Sequence, residues 1–573
     1  MMETPTEATR NHAKRRRFAF TPESVTMAVC ALLAVGLILY PLARLLWASF
    51  FADVRFGDES YFTLENYRFL VENAPLRSAL VVTFVLSIAA TLISVVVGSA
   101  LAWAVTRTNM PWGSGLEPLN IVPFFLSPYV GAISWTALAA PNVGILNKFL
   151  MPIFGLTQPF FNVYSIPGMI WIMSLFYIPS VYIFVVGSFR NMDPALEEAA
   201  RMSGASNWRV VRHITFPLVI PAVLSGGLLA LVTSAGSPDV PLALGKPVGL
   251  DTLATLIFDN RQNYPPLYNL SAAMGTILLA IALAGVYVQR AIIKPRSYVT
   301  ITGRGYRTGV VDLGRWRYVA LGFNVLYLLA ALAVPILSLL LMSLSKYWSG
   351  TFNPQLFTVA NYSYVLFDFP VTKVALQNSL ILAVVGATLS VALCVVLSYT
   401  IYRGRTFGRG ALDFVVMLPM AVPAIVMAMA LLLVWVRTPL YGTLLILLVA
   451  YVTRYMPVAQ RNISAALLSV SPDLEESARL SGASWFRTIL YIVVPLLKPG
   501  IAAAWLLLFI IFIRELGVSV LLCGAGTEVM SVALYRLSNE PVAVAAFAMV
   551  QMALLLVATL LFRRFMGTSD IAM

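Results

Sequence analysis

The sequence has little of what soluble enzymes usually work with. Only 11% of its 573 residues are charged, and it contains two histidines and three cysteines. Cys30, Cys394, Cys523, His12 and His213 are scattered, which argues against a metal cluster, a disulfide framework or a catalytic thiol. Cysteines on apolar faces usually serve packing. No GxxxxGK[ST] phosphate loop occurs, and too little polar chain is left over for an ATPase domain. Acidic residues are scarce as well, 25 against 39 Lys and Arg, for a net charge of +14. In a chain this apolar the basic excess points to cytoplasmic loops rather than to nucleic acid.

What the chain has in quantity is apolar surface: 60% hydrophobic residues and a mean hydropathy of +0.84. Water cannot hold that much, so the bilayer lipid is the expected solvent. Runs of roughly 20 apolar residues mark spans. Twelve are expected, at about 25–50, 79–106, 117–140, 165–188, 214–235, 270–290, 317–345, 377–402, 411–436, 439–460, 492–514 and 543–562. The run behind Lys14-Arg15-Arg16-Arg17 is too long for a cleaved signal peptide and reads as a retained anchor. With the N-terminus inside, Arg107, Arg190, Arg201, Arg209, Arg212, Arg403, Arg405, Arg409, Arg461, Arg479, Arg487, Arg563 and Arg564 fall in inner loops. Asp53, Asp58, Glu59, Glu65, Glu72, Asp251, Asp259, Glu528 and Glu540 fall outside. Both termini are then cytoplasmic.

The chain repeats itself. FTLENYRFL at 62–70 matches FTVANYSYV at 357–365, 295 residues on, while YIPS at 177–180 matches YMPV at 455–458 at an offset of 278. The first half therefore carries about 17 more residues, placed in 141–164. Six spans per half leave the copies parallel, not inverted. The expected organisation is a cytoplasmic tail (1–24), a first repeat (25–290), a basic cytoplasmic linker (291–316), a second repeat (317–565) and a C-terminal tail (566–573). The fold class is an all-α polytopic membrane protein of about twelve transmembrane helices in two parallel six-helix repeats.

One polar decapeptide is also repeated, EEAARMSGAS at 197–206 and EESARLSGAS at 475–484. Each follows a cap-and-proline start, Asp193-Pro194 and Ser471-Pro472. Glu197, Glu198, Glu475 and Glu476 suit the first turn of a helix that Gly204 and Gly482 would end. A second helix should follow, stopped or bent near Pro217 and Pro495. A single copy reads equally well as a surface helix; two copies suggest one partner surface docked twice. The tetrapeptide SGAS is similar to the Ser-Gly-rich signature of nucleotide-binding ATPases, but without a phosphate loop that reading fails.

The spacing Glu198-Ala199-Ala200, Gly204, Ile214, Pro217, and again Glu476-Ser477-Ala478, Gly482, Ile492, Pro495, resembles the loop motif of permease subunits of binding-protein-dependent ABC importers. Ser477 departs from the motif, as do Phe216 and Val494 before the prolines. The resemblance implies a duplicated MetI-like permease of the bacterial inner membrane. Each loop helix would couple to one of two ATPase copies, the small alanines would permit close approach, and the glutamates would pair with basic groups. An extracytoplasmic solute-binding protein would deliver cargo. ATP and Mg would be used by the partners, and this chain would bind no cofactor or metal and catalyse nothing. Segments 245–259 and 512–537 are similar to loops of the ferric-iron type; thiamine, polyamine and aminoethylphosphonate importers share the architecture.

Arg514 and Glu515, at the end of span eleven, are pathway candidates because intramembrane charges are functional by default; Asp239 lies near the matching place in the first half. No Cys/His/Tyr/carboxylate cluster is legible in the spans, so the iron assignment has no ligand chemistry behind it. A secondary transporter would also suit six plus six parallel spans, but few ionisable residues lie away from span ends.

Overall fold

The computed structural model describes residues 22–53, 61–193, 195–293, 311–351, 353–404 and 406–566. Most of both tails and of the linker, Asp58, Glu59, Pro194 and Arg405 lie outside the described residues. Among those described, all regular structure is helical, with three isolated bridges. Eight helices are long and apolar enough to cross a membrane, and eleven spans result if each of three bent pairs counts as one. These match eleven of the twelve expected spans. The remaining one, span ten, is the helix Leu444–Ser469, less apolar because it carries Arg454, Gln460 and Arg461.

Three spans are broken, which the apolar runs did not reveal. Span three is Gly113–Phe125 and Pro128–Ala139, bent by 97°; span nine is Arg409–Ala421 and Ala424–Trp435, bent by 110°. Each break falls where a proline restricts the residue before it: Ser127 and Val422 both take extended backbone. Span eleven, Trp485–Leu496 and Lys498–Arg514, bends by 76°. Its bend lies at Leu497, one step before Lys498-Pro499, and not at Pro495. Pro217 does not end its helix either. Span five runs unbroken as Trp208–Ala235, with a π-turn over Val211–Thr215 just before the proline. The same π-turn precedes Pro41, Pro335 and Pro495. A proline has no N–H to give, and widening the turn ahead of it keeps the helix going.

The two halves are interlocked. The first span of each half packs on the other half: Pro22–Ala48 lies against span nine, and Trp316–Ser343 against span three. Across the second of these contacts Ser338 Oγ donates to the Ser134 carbonyl (3.2 Å), and beyond the helix end Trp348 Nε1 donates to that of Val143 (3.1 Å). Near the start of the same span, Val311 bridges to Thr108, just after span two. The linker thus rejoins the described structure at the end of the molecule that carries the loop helices.

Candidate functional site

The repeated decapeptides form matching corners. Helix Ala195–Met202 opens beneath Asp193, whose Oδ1 accepts from the Ala195 N–H (2.9 Å); helix Asp473–Leu480 opens beneath Ser471, whose hydroxyl accepts from the Asp473 N–H (3.3 Å). Both end in the same way. Ala205 and Ala483 donate back to the carbonyls of Ala200 and Ala478 at 3.0 Å, around Gly204 and Gly482 with φ of +82° and +85°. Left-handed backbone is what glycine permits there.

The two glutamates of each copy part company. Glu198 and Glu476 face out beside Ala199 and Ser477; Ala200 and Ala478 are half-buried. Glu197 and Glu475 turn inward. Glu197 forms a buried ion pair with Arg107 at the end of span two and accepts from Thr215 Oγ1 (2.6 Å), so it ties the loop helix to spans two and five. Glu475 pairs with Arg403 Nε (3.1 Å), whose Nη2 also donates to the Leu467 and Val470 carbonyls. These arginines were expected as loop charges; they are anchors. The outer face is apolar at matching positions: Leu196, Met202 and Trp208 in one copy, Leu474, Leu480 and Phe486 in the other. Pro217 and Pro495 lie further along, after the π-turns and off this face.

The second feature is a cavity of about 200 Å³ between the halves. Asp239, Arg514 and Glu515 all line it, so the structure unites the three pathway candidates. Arg454, Tyr177 and Tyr455 line it too. This corrects the expectation that the spans hold no Tyr/carboxylate cluster. The signals were present: Arg454 is a charge inside an expected span, and the tyrosines belong to the repeated YIPS and YMPV motifs. The sequence could not show that distant turns converge.

The broken spans help to build this cavity. Arg514 Nη1 donates to the Leu126 carbonyl at the break of span three (2.8 Å) and lies over the Phe124 ring (4.8 Å). Arg454 Nη1 donates to the Pro419 carbonyl near the break of span nine. Carbonyls freed by a break inside a bilayer need such partners. Ser237 Oγ donates to Asp239 Oδ2 (2.5 Å), and the Val518 N–H to Glu515 Oε1 (2.9 Å). Beside the cavity Gly236 lies so close to Pro423 of the other half that any side chain would overlap it. At the end away from the loop helices, Phe258 meets Tyr535 edge to face (5.4 Å), and Arg261 donates to the Cys523 carbonyl (2.6 Å) across the seam. Among the described residues, no three His, Cys, Asp or Glu side chains converge as a metal site.

Two parallel membrane repeats, each with a helical corner at the same end, and between them a shared cavity into which a few charged side chains are set, define a solute permease. The chain belongs to the binding-protein-dependent transport system inner membrane components, whose family profile matches it twice, at residues 94–297 and 395–567. It is thus a multi-span transport subunit of a bacterial ABC importer, not an enzyme. The chain is 29% identical over 448 residues to the putative ferric transport system permease protein FbpB 1 of Haemophilus influenzae, covering 76% of this chain and 69% of that one. It is 28% identical over 447 residues to the ferric transport system permease protein FbpB of Actinobacillus pleuropneumoniae, covering 76% and 63%. The spermidine/putrescine permease PotC of Escherichia coli is 28% identical over 208 residues, 36% of this chain and 78% of PotC.

Proposed function

We propose that the chain forms the pathway by which ferric iron, delivered by an extracytoplasmic binding protein, crosses the bacterial inner membrane. Each loop helix seats on one of two ATPase subunits, which bind the ATP and Mg; both loops and both termini face the cytoplasm. The observation that carries this reading is the pair of equivalent corners, each pinned inward by a buried arginine–glutamate pair and showing three apolar side chains outward. A single surface helix has no need of a second copy with the same anchor and the same outward face. The ferric assignment draws on the two ferric transport permeases that the chain resembles. Thiamine, polyamines and aminoethylphosphonate are the alternatives.

The test is purification from native membranes in mild detergent, with mass spectrometry of what co-purifies, followed by uptake assays in vesicles. A soluble ATPase at two copies per chain and ATP-driven iron uptake are expected. A lone permease with proton- or sodium-driven uptake would overturn the importer assembly in favour of a secondary transporter.

A further inference from the structure

The charges around the cavity break the internal repeat. At the offset of 278, Tyr177 corresponds to Tyr455, but Arg454 corresponds to Phe176, and Arg514 and Glu515 to Gly236 and Ser237. The first half carries no matching charge at these positions, so the repeat alone does not account for them. Glu515 and Tyr177 are both at least nine-tenths buried, and the Tyr177 hydroxyl has no hydrogen-bond partner. Buried intramembrane charge and an unsatisfied buried hydroxyl are both costly unless a guest repays them.

The lining carries two carboxylates, two guanidiniums and two phenols, with no other ionisable side chain. A bare cation would be opposed by Arg454 and Arg514, and a bare anion by Asp239 and Glu515. A guest with both signs of charge suits all four. The oxygen donors are of the hard kind that a small, highly charged cation prefers. Each guanidinium gives one N–H to a main-chain carbonyl, and a guanidinium has five, so donors remain for an oxyanion. A space of about 200 Å³ admits an ion with a small counter-anion.

We propose that this cavity is a cargo site within the permease that takes ferric iron together with a small oxyanion such as phosphate: Tyr177, Tyr455, Asp239 and Glu515 face the metal, and Arg454 and Arg514 face the anion. The proposal rests on the ferric reading above. Each phenol that ligates releases its proton to water.

The experiment uses the full-length permease in lipid nanodiscs, titrated with ferric nitrilotriacetate with and without inorganic phosphate. Phosphate alone and spermidine are the comparison probes. Iron with phosphate should give a visible phenolate-to-iron charge-transfer band. Tyr177→Phe with Tyr455→Phe, which keeps the rings and their packing, should abolish the band and weaken iron binding by about tenfold or more. Arg454→Gln with Arg514→Gln should remove the gain from phosphate while the tyrosines remain. A band that survives the double phenylalanine variant would mean an adventitious ion only, and would overturn the site. So would iron binding that is indifferent to phosphate, or tighter binding of spermidine. ATP-driven uptake by the reconstituted importer separates the two readings. Iron uptake unaffected by the tyrosine pair sinks this site and leaves the ferric reading standing; no iron uptake by the wild type sinks the ferric reading itself.

Discussion

Arg107 and Glu197 show how one residue pair can hold a docking element in place. Their side chains are 1% and 3% exposed, so neither has water to fall back on. Removing one partner of a buried pair leaves an uncompensated charge, at a cost of about 3–5 kcal/mol. Arg107→Met should therefore lower the melting temperature of the purified permease sharply and loosen its ATPase, and adding Glu197→Leu should recover most of the loss. At Arg403 the effect should be smaller, because its side chain is 14% exposed. If Arg107→Met melts no earlier than a change at exposed Arg209, the anchor has been misread. The sequence showed these arginines as positive charges at span ends, and the sidedness argument needs no more than that. It could not show that the first glutamate of each decapeptide turns inward, because that depends on which face of a two-turn helix meets span two.

The loop helix was almost fully legible as an element. Its cap, its acidic first turn and its glycine stop are local signals, and the structure carries all of them in both copies. Open space surrounds Gly204 and Gly482, so a larger side chain there meets no clash but must take left-handed backbone, at roughly 1–2 kcal/mol. Gly204→Leu with Gly482→Leu should leave membrane insertion intact and reduce recovery of the ATPase in pull-downs; transport at wild-type rate would rule out the coupling role. A cleaner separation uses the outward apolar residues. Met202 and Leu480 are 85% and 90% exposed, so Met202→Glu with Leu480→Glu should change stability by only about 0.5 kcal/mol. The same variant should stop ATP-driven uptake, because a charge would be buried against the partner. The breaks in spans three and nine were less legible. An apolar run reports length, and a proline inside it can mark a π-turn, as at Pro217, or a turn near a right angle, as at Pro128. The run does not distinguish them, and at the span-three break the Leu126 carbonyl is met by Arg514, 388 residues away.

At the scale of the whole molecule, the two halves meet below the cavity through the loop-bearing end and above it through Phe258 and Tyr535. These two rings lie near matching positions of the repeat and touch each other, so they sit close to the pseudo-twofold axis. Arg261 adds a tie by donating to the Val520 and Cys523 carbonyls of the other half. Cargo arriving from that end must part this contact, and the interlocked first spans would carry the movement from one half to the other. The scarcity of cysteine makes the idea testable. Cys30, Cys394 and Cys523 are all buried, so a thiol-specific cross-linker should have little background on the native chain. Phe258→Cys with Tyr535→Cys, bridged by a short cleavable bifunctional reagent, should halt ATP-driven uptake in vesicles. Cleavage of the bridge should restore it, and either single cysteine should transport normally after the same treatment. ATPase subunits would still co-purify with the bridged permease, since the loop helices lie at the other end. Uptake that continues through the bridge would show that the halves need not part there, and that solute reaches the cavity by another route.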